Sequence, residues 1–417
     1  MSNYEDLRGA AANEEIILDD QGIPSVMVKV PLVYLDELGI GSAHTPHPAF
    51  IINDKVVPYI YVSKYINVIK NNRAYSIPNQ DPANCITFDR AVEVCYNKGA
   101  GWHLMTAAEW GVLHNLITAQ GLEPRGNTNN GRHHVKTYEH GVLSPQNPTN
   151  VYRTLTGTGG KAWEALGVCD IMGDVHKWVV ARLVDGEIQI VPNNNAAIHK
   201  TDLGANSKAW KAILQDGSLV APGTNGTLKF DYTGNPANAT SGFHITTTVE
   251  HKQTDDGAGY GAKDFGTLTA KSGVTIPDIL KALALFPNTD KTGRGFIYFR
   301  NNGERLLIRG GDYGAGGSAG EANGGFDRPG GSRRFRLPAF FLPCVCGAVF
   351  RLCGSCALCV IPAGVCGSIR PISENDEDIK QNAKKFQSDS KTTRTQRRSF
   401  DYEENKRNDR IRSRLPI

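Results

Sequence analysis

Six of the nine cysteines in this 417-residue chain fall within residues 344–366, CVCGAVFRLCGSCALCVIPAGVC. Thiolates bind soft metals, pair as disulfides or attack electrophiles, so crowding them raises four readings. The stretch is a metal cluster, a disulfide knot, a membrane segment, or a set of side chains that were never selected one by one. Cys353, Cys356 and Cys359 have part of an iron–sulfur spacing. The next thiol, Cys366, follows after six residues rather than three, and no proline comes after it. Zinc knuckles need paired C-x2-C units separated by a loop, and these cysteines are too evenly crowded for that. Late oxidation to disulfides stays open. A membrane helix needs about 20 apolar residues. Gly354, Ser355, Pro362, Gly364, Gly367 and Ser368 dilute this stretch and Arg351 interrupts it. No span is expected; an exposed apolar patch fits better.

The histidines offer less. There are eleven, and none forms the H-x3-H-x-E pattern that would hold a non-haem iron. His133 and His134 are the one adjacent pair, in the polar run NNGRHHVKTYEH, and are expected to face solvent from a polar loop. In GDVHKWV (173–179), His176 and Lys177 stand beside Trp178. A catalytic histidine is one reading; a structural turn that keeps Trp178 in the core is the favoured one. The glycines of RGGDYGAGGSAG (309–320) lack the G-K-[ST] of a phosphate loop, and read as backbone turns.

The elements that must position these residues form an α+β pattern. SVMVKVPLVY (25–34) alternates as a strand. AFII (49–52) and VVPYIYV (56–62) read as a hairpin around Asn53-Asp54, with Pro58 at an edge or bulge. A helix over about 88–97 should bury Ala91, Val94 and Cys95. The next opens on a T-x-x-E capping box, Thr106 and Glu109, shows Trp110, Leu113, Leu116 and Ile117 on one face, and stops at Gly121. A third is expected over 276–285 with Pro277 in its first turn. GEIQIV (186–191), TLKFDY (227–232) and FHITTTVE (243–250) read as strands. Residues 296–311 read as a hairpin turning at Asn302-Gly303. No internal repeat is apparent.

Composition bounds the partners. With 40% hydrophobic and 21% charged residues, the chain is ordinary for a globular protein, and its 45 glycines imply many loops. Net charge is only +4, so no nucleic-acid partner is expected. Residues 373–417 hold 12 Lys/Arg and 9 Asp/Glu with few apolar residues, the pattern of a charged, disordered tail. The N-terminus shows no secretory signal. The expected location is therefore the cytoplasm of the producing cell, or a particle released by a route such as lysis.

Four pieces in order carry a resemblance: GWHLMTAAEW (101–110), GVCDIMGDVHKWV (167–179), NNGERLLIRGGDY (301–313) and GAGGSAG (314–320). They resemble the formylglycine-generating-enzyme branch of the C-type lectin fold. Within it they are most similar to variable proteins of diversity-generating retroelements, often phage tail or receptor-binding proteins. AWKAILQDGSLVAPGTNGTLKFDY (209–232) supports the likeness, which covers about residues 25–320. The resemblance implies a scaffold whose C-terminal surface is rewritten by adenine-directed miscopying and binds a host-surface protein or glycan. It implies a homo-oligomer, a virion location, no cofactor and no catalysis. The organisation it implies is an N-terminal segment (1–24), a lectin-like domain (25–372) with a β-rich insertion at about 183–275 and a variable region at about 312–371, then the tail. Arg333, Arg334, Phe335, Phe340, Phe341, Phe350 and Arg351 are the expected ligand contacts, since arginine and aromatics contribute most at interfaces. Trp102, Trp110, Trp178, Arg309, Gly310 and Gly311 are the expected scaffold.

Residues 330–371 contain only Gly, Ser, Arg, Phe, Leu, Pro, Ala, Cys, Val and Ile, all of which an NNC codon can encode. Miscopied AAC codons would yield cysteines without any chemistry at sulfur. One departure stands out. Where the family continues Val-Phe-x-Leu after Ser318-Ala319-Gly320, this chain has Glu321-Ala322. An insertion before the variable loop, or a shift of reading frame from about 321, would each account for it. The rival function is a metal-dependent oxidase of the formylglycine-generating type, which needs two suitably placed cysteines.

Overall fold

The longer strands, in chain order, are β1 (Glu14–Leu18), β2 (Pro24–Pro31), β3 (Tyr59–Ser63), β4 (Trp102–Leu104), β5 (His176–Val184), β6 (Glu187–Ile190), β7 (Lys229–Tyr232), β8 (Phe243–Thr246), β9 (Ala262–Asp264), β10 (Phe296–Tyr298), β11 (Glu304–Arg309) and β12 (Gly324–Asp327). The helices are α1 (Phe88–Tyr96), α2 (Ala107–Ala119) and α3 (Asp278–Ala282). This computed structural model describes residues 14–235, 241–253, 262–289 and 292–327, with the backbone alone at 340–341 and 344–346. Few helices beside extensive sheet make it α+β, and no sheet closes into a barrel among the described residues.

A five-stranded sheet runs β1-β2-β3, then the short strand Cys344–Cys346, then β4. Its first strand begins at Glu14, where Glu14 pairs with Val28. The larger sheet runs β9-β10-β12-β11-β5-β6-β7-β8 and ends on Thr269–Ala270. Strands β6 to β8 fall within the expected β-rich insertion.

Local signals were read well where they are local. Thr106 accepts from the Glu109 amide at 3.1 Å and Glu109 accepts from the Thr106 amide at 2.9 Å, closing the capping box. Gly121 is left-handed at φ 65°. Yet α2 is buried all round from Ala107 to Ile117, not on one face only. Gly111 explains how close its neighbours come: a Cβ there would lie 2.0 Å from the Ala282 carbonyl. The turn at Asn53-Asp54 forms, with both residues at positive φ, but the expected hairpin of 49–52 with 56–62 is cut to Ile51–Ile52 against Lys55–Val56, because 48–50 is a 3-10 turn and β3 pairs with β2 instead. Pro58 lies between Lys55–Val56 and β3, inside neither. The third helix is only five residues long, and Pro277 is its N-cap.

One topological expectation fails. The hairpin over 296–311 does not form, because β12 lies between its two arms. The Asn302-Gly303 turn exists, but it bonds to Asp185 across the sheet. β12 fits there because it opens with two glycines. A Cβ on Gly325 would meet the Tyr298 ring at 2.0 Å, and one on Gly324 would meet Arg309 Nη1 at 2.8 Å.

Two buried clusters make up the interior. One gathers α2 and the inner face of the large sheet around Phe230, Phe299 and Phe326. The other packs Phe88, Trp102, Trp178 and Trp210. The described residues contain no helix long and apolar enough to cross a membrane. The tail 373–417 lies outside the described residues.

Candidate functional site

The surface best built for recognition joins two loops. The first is the excursion 127–158; the second is the turn 310–318 after β11. Asn127 fixes the start of the excursion. Its Oδ1 accepts from the Gly131 amide at 2.6 Å, and its Nδ2 donates to the Tyr152 carbonyl at 2.7 Å and to Asp174 Oδ1 at 2.9 Å. His133 and His134 are not surface decoration, and that expectation is corrected. His133 Nδ1 accepts from the amides of Val135 and Lys136, and His134 Nδ1 lies 2.9 Å from Thr128 Oγ1. Partial burial lowers the pKa of both rings.

The second loop lies on the first. The amide of Asn130 donates to the Tyr313 carbonyl at 2.7 Å, and that of Gly316 donates to the Thr128 carbonyl at 2.9 Å. Gly310 and Gly311 turn the chain at φ 87° and 74°, and a Cβ on Gly310 would collide with the Ile171 carbonyl and the Lys177 side chain. On this fixed backbone Val135, Tyr138, Val142, Leu143 and Tyr152 stand 36–74% exposed. They are five of the eight large hydrophobics exposed among the described residues, so the apolar exposure concentrates on one excursion.

Beneath lies a buried charge cluster. Asp174 Oδ1 accepts from the Thr154 amide (2.7 Å), Thr154 Oγ1 (3.1 Å) and Asn127 Nδ2, while its Oδ2 has no hydrogen-bond partner. Lys177 Nζ donates to the carbonyls of Gly173 (2.7 Å) and Val175 (3.0 Å). Burial lowers the Lys177 pKa to about 8, against the charges of Asp174, Asp170 and Asp312, which hold it up. Burial and the neighbouring Asp174 charge push Asp170 up to about 7. His176 is buried too, with Nε2 3.9 Å from Asp312 Oδ2. In GDVHKWV, then, the structural-turn reading extends beyond Trp178, which donates to the Ile86 carbonyl: His176 and Lys177 also face inward.

The expected scaffold residues Trp102, Trp110, Trp178 and Arg309 are all buried. Arg309 donates to the carbonyls of Ala322 and Ala284, tying the end of β11 to two loops. Of the expected contacts, Arg333, Arg334, Phe335, Phe350 and Arg351 lie outside the described residues. The Phe340–Phe341 backbone pairs in parallel with His176–Lys177. Within the expected variable region only 313–318 is at all exposed among the residues whose burial is described; Ala319–Phe326 is interior. Glu321 is 2% exposed and its Oε1 is 3.0 Å from Arg294 Nη1, while its carbonyl accepts from Trp110 Nε1 at 2.9 Å. Glu321 is thus a buried carboxylate matched by a buried arginine. The exposed apolar residues of 135–152 were missed in the sequence; their clustering within an otherwise polar loop was the available signal.

No protein-family model and no curated protein matches the chain. Among solved structures, a match is the structure of PvdO from Pseudomonas aeruginosa. It is 10% identical, with a TM-score of 0.30, and the alignment covers 80% of this chain and 98% of that one. The expectation that this chain makes and breaks no bond is not carried forward. A likeness at this TM-score carries no argument for any particular reaction.

Proposed function

We propose that the chain is a ligand-binding, receptor-recognition protein, with its binding surface where the 310–318 turn lies on the 127–158 excursion. The observation that carries this reading is the set of exposed apolar and aromatic side chains held on backbone pinned by Asn127, Thr128 and Tyr313. Rigid aromatic anchors lose little entropy on binding, so they supply affinity cheaply. The finer reading rests on the sequence resemblance. The fold is C-type-lectin-like, of the formylglycine-generating branch. The chain is a variable protein of a diversity-generating retroelement, a phage or prophage tail or adhesion component. It works as a homo-oligomer on a host-surface protein or glycan, where multivalency raises weak affinity.

The test is binding of the purified full chain to intact candidate host cells, compared with Tyr138→Ala, Tyr152→Ala and Val135→Ser. Loss of about tenfold in affinity, with unchanged unfolding temperature, is expected for the tyrosines. Full binding by all three variants overturns the surface. The retroelement reading is checked in the surrounding DNA. It requires a near-copy of the codons for the C-terminal region, differing at adenines, beside a reverse-transcriptase gene.

The second reading, a metal-dependent oxidase of the formylglycine-generating type, draws on one feature of the same surface. Among the described cysteines only the Cys85 thiol is exposed, and it lies near Tyr313. Stoichiometric copper or iron in the purified protein, lost in Cys85→Ser, favours that reading over simple recognition.

A further inference from the structure

The stretch 131–143 folds back on itself and ends in a fixed tip. Arg132 pairs with His140 across an antiparallel bridge. The Gly141 amide donates to the Gly131 carbonyl at 3.1 Å, and the His133 amide to the Glu139 carbonyl at 3.1 Å. The Glu139 amide donates in turn to the Lys136 carbonyl at 2.8 Å, which closes the tip. From inside, His133 Nδ1 accepts from the amides of Val135 (3.3 Å) and Lys136 (2.9 Å). Side chains projecting from such a tip lose little freedom on binding. Val135 and Tyr138 are 67% and 74% exposed, the highest values among the large hydrophobics described. Leu143 carries the apolar surface to the base of the loop, where a Cβ on Gly131 would lie 2.7 Å from Leu143 Cδ2. Val142, beside it, is exposed too.

The free charge on this surface has one sign. Glu139 is the only acid in 126–158, and Arg125 Nε holds it at 2.8 Å. Arg153 is buried and engaged by both carboxylate oxygens of Asp81. Asp312, in the turn that lies on the excursion, is buried. Arg132 and Lys136 remain exposed, with no carboxylate partner among the described residues.

We propose that this tip binds an acidic, apolar segment of a partner protein. Arg132 and Lys136 meet its carboxylates, and Val135, Tyr138, Val142 and Leu143 cover its apolar side chains. The proposal rests on the recognition reading above and narrows it to a protein. A neutral glycan fits worse, because hydroxyls laid on Val135, Val142 or Leu143 would be buried without hydrogen bonds. An anionic bilayer fits worse too: segments held on one carry clusters of about four or more basic residues, and this tip presents only Arg132 and Lys136.

The test selects peptides from a random display library on the immobilised full chain. Enriched sequences should carry Asp or Glu beside Leu, Phe or Trp. A synthetic copy of the most enriched peptide should bind Tyr138→Ala about tenfold more weakly, and the Arg132→Glu, Lys136→Glu double variant at least about tenfold more weakly. All these side chains are exposed, so unfolding temperatures should not change. Raising the salt from about 50 mM to about 500 mM should weaken the wild-type complex. Selection repeated on the double variant should favour Lys and Arg. The proposal is overturned by no enrichment, by enriched peptides without acids, or by equal binding of the double variant. Binding to phosphatidylcholine–phosphatidylglycerol vesicles or to neutral oligosaccharides in place of peptides overturns it as well. The selection uses no host cell, so its failure is read separately from a failure of the cell-binding test.

Discussion

Two knots of buried charge are built with opposite sign. Around Lys177, three aspartates outnumber one ammonium. Around His114, the guanidiniums of Arg294 and Arg309 outnumber the Glu321 carboxylate, whose Oε1 is 3.0 Å from Arg294 Nη1 and 3.8 Å from His114 Nδ1. The first knot can relieve its excess by holding a proton, and Asp170 is pushed up to about 7. The second cannot, because guanidinium does not give up its proton at neutral pH; burial lowers Arg309 only to about 9. Backbone carbonyls do the work there: those of Ala322 and Ala284 for Arg309, and that of Leu122 for Arg294. An excess of acid therefore makes an interior that responds up to neutral pH, whereas beside the arginines only His114 titrates, and on the acid side.

The largest expected effect comes from Lys177→Met. It strands three carboxylates and should cost about 3–5 kcal/mol of stability at pH 7, measured by urea unfolding. The cost should shrink at pH 5, where Asp170 holds its proton; equal costs at both pH values would break the contrast. Glu321→Gln leaves the Arg294 guanidinium without its carboxylate and should cost about 3 kcal/mol, equally at pH 6 and pH 8. Adding Arg294→Met to it should recover part of the loss, and a double-mutant cycle measures how much.

Smaller effects follow from titration. Asp170 keeps its proton up to about 7 when folded and loses it near 4 when unfolded. The stability it contributes is full below pH 4 and is lost as pH rises towards 7. Asp170→Asn should remove that decline, with a slope change of at most about 1.4 kcal/mol per pH unit. His114 shows the reverse course. Burial, with the charges of Arg309 and Arg294, lowers it to about 3, so its contribution is lost as pH falls below 6.5. His114→Gln should flatten that acid limb, leaving the part due to His47, which burial lowers to about 4.

What the sequence disclosed was what short range determines. The Thr106–Glu109 box, the Asn53-Asp54 turn and the burial of Ala91, Val94 and Cys95 depend on residues a few positions apart. The pairing of 296–298 with 304–309 looked as local, and was overridden by Gly324 and Gly325, whose fit depends on Tyr298 and Arg309. Glu321 looked foreign because its partner, Arg294, is 27 residues away. His176 and Lys177 read as turn residues because charges seldom enter a core unless paired. Their partners come from separate stretches of chain, at 170–175 and at 312.

The placement of β12 sets an order of events during synthesis. A strand from residues 324–327 separates β10 from β11 in the large sheet, so a nascent chain stopped before it holds two strand edges that cannot meet each other. Until those four residues leave the ribosome, the edges remain templates for foreign strands. A nonsense codon upstream of 324 should thus give aggregated product rather than a shorter folded protein.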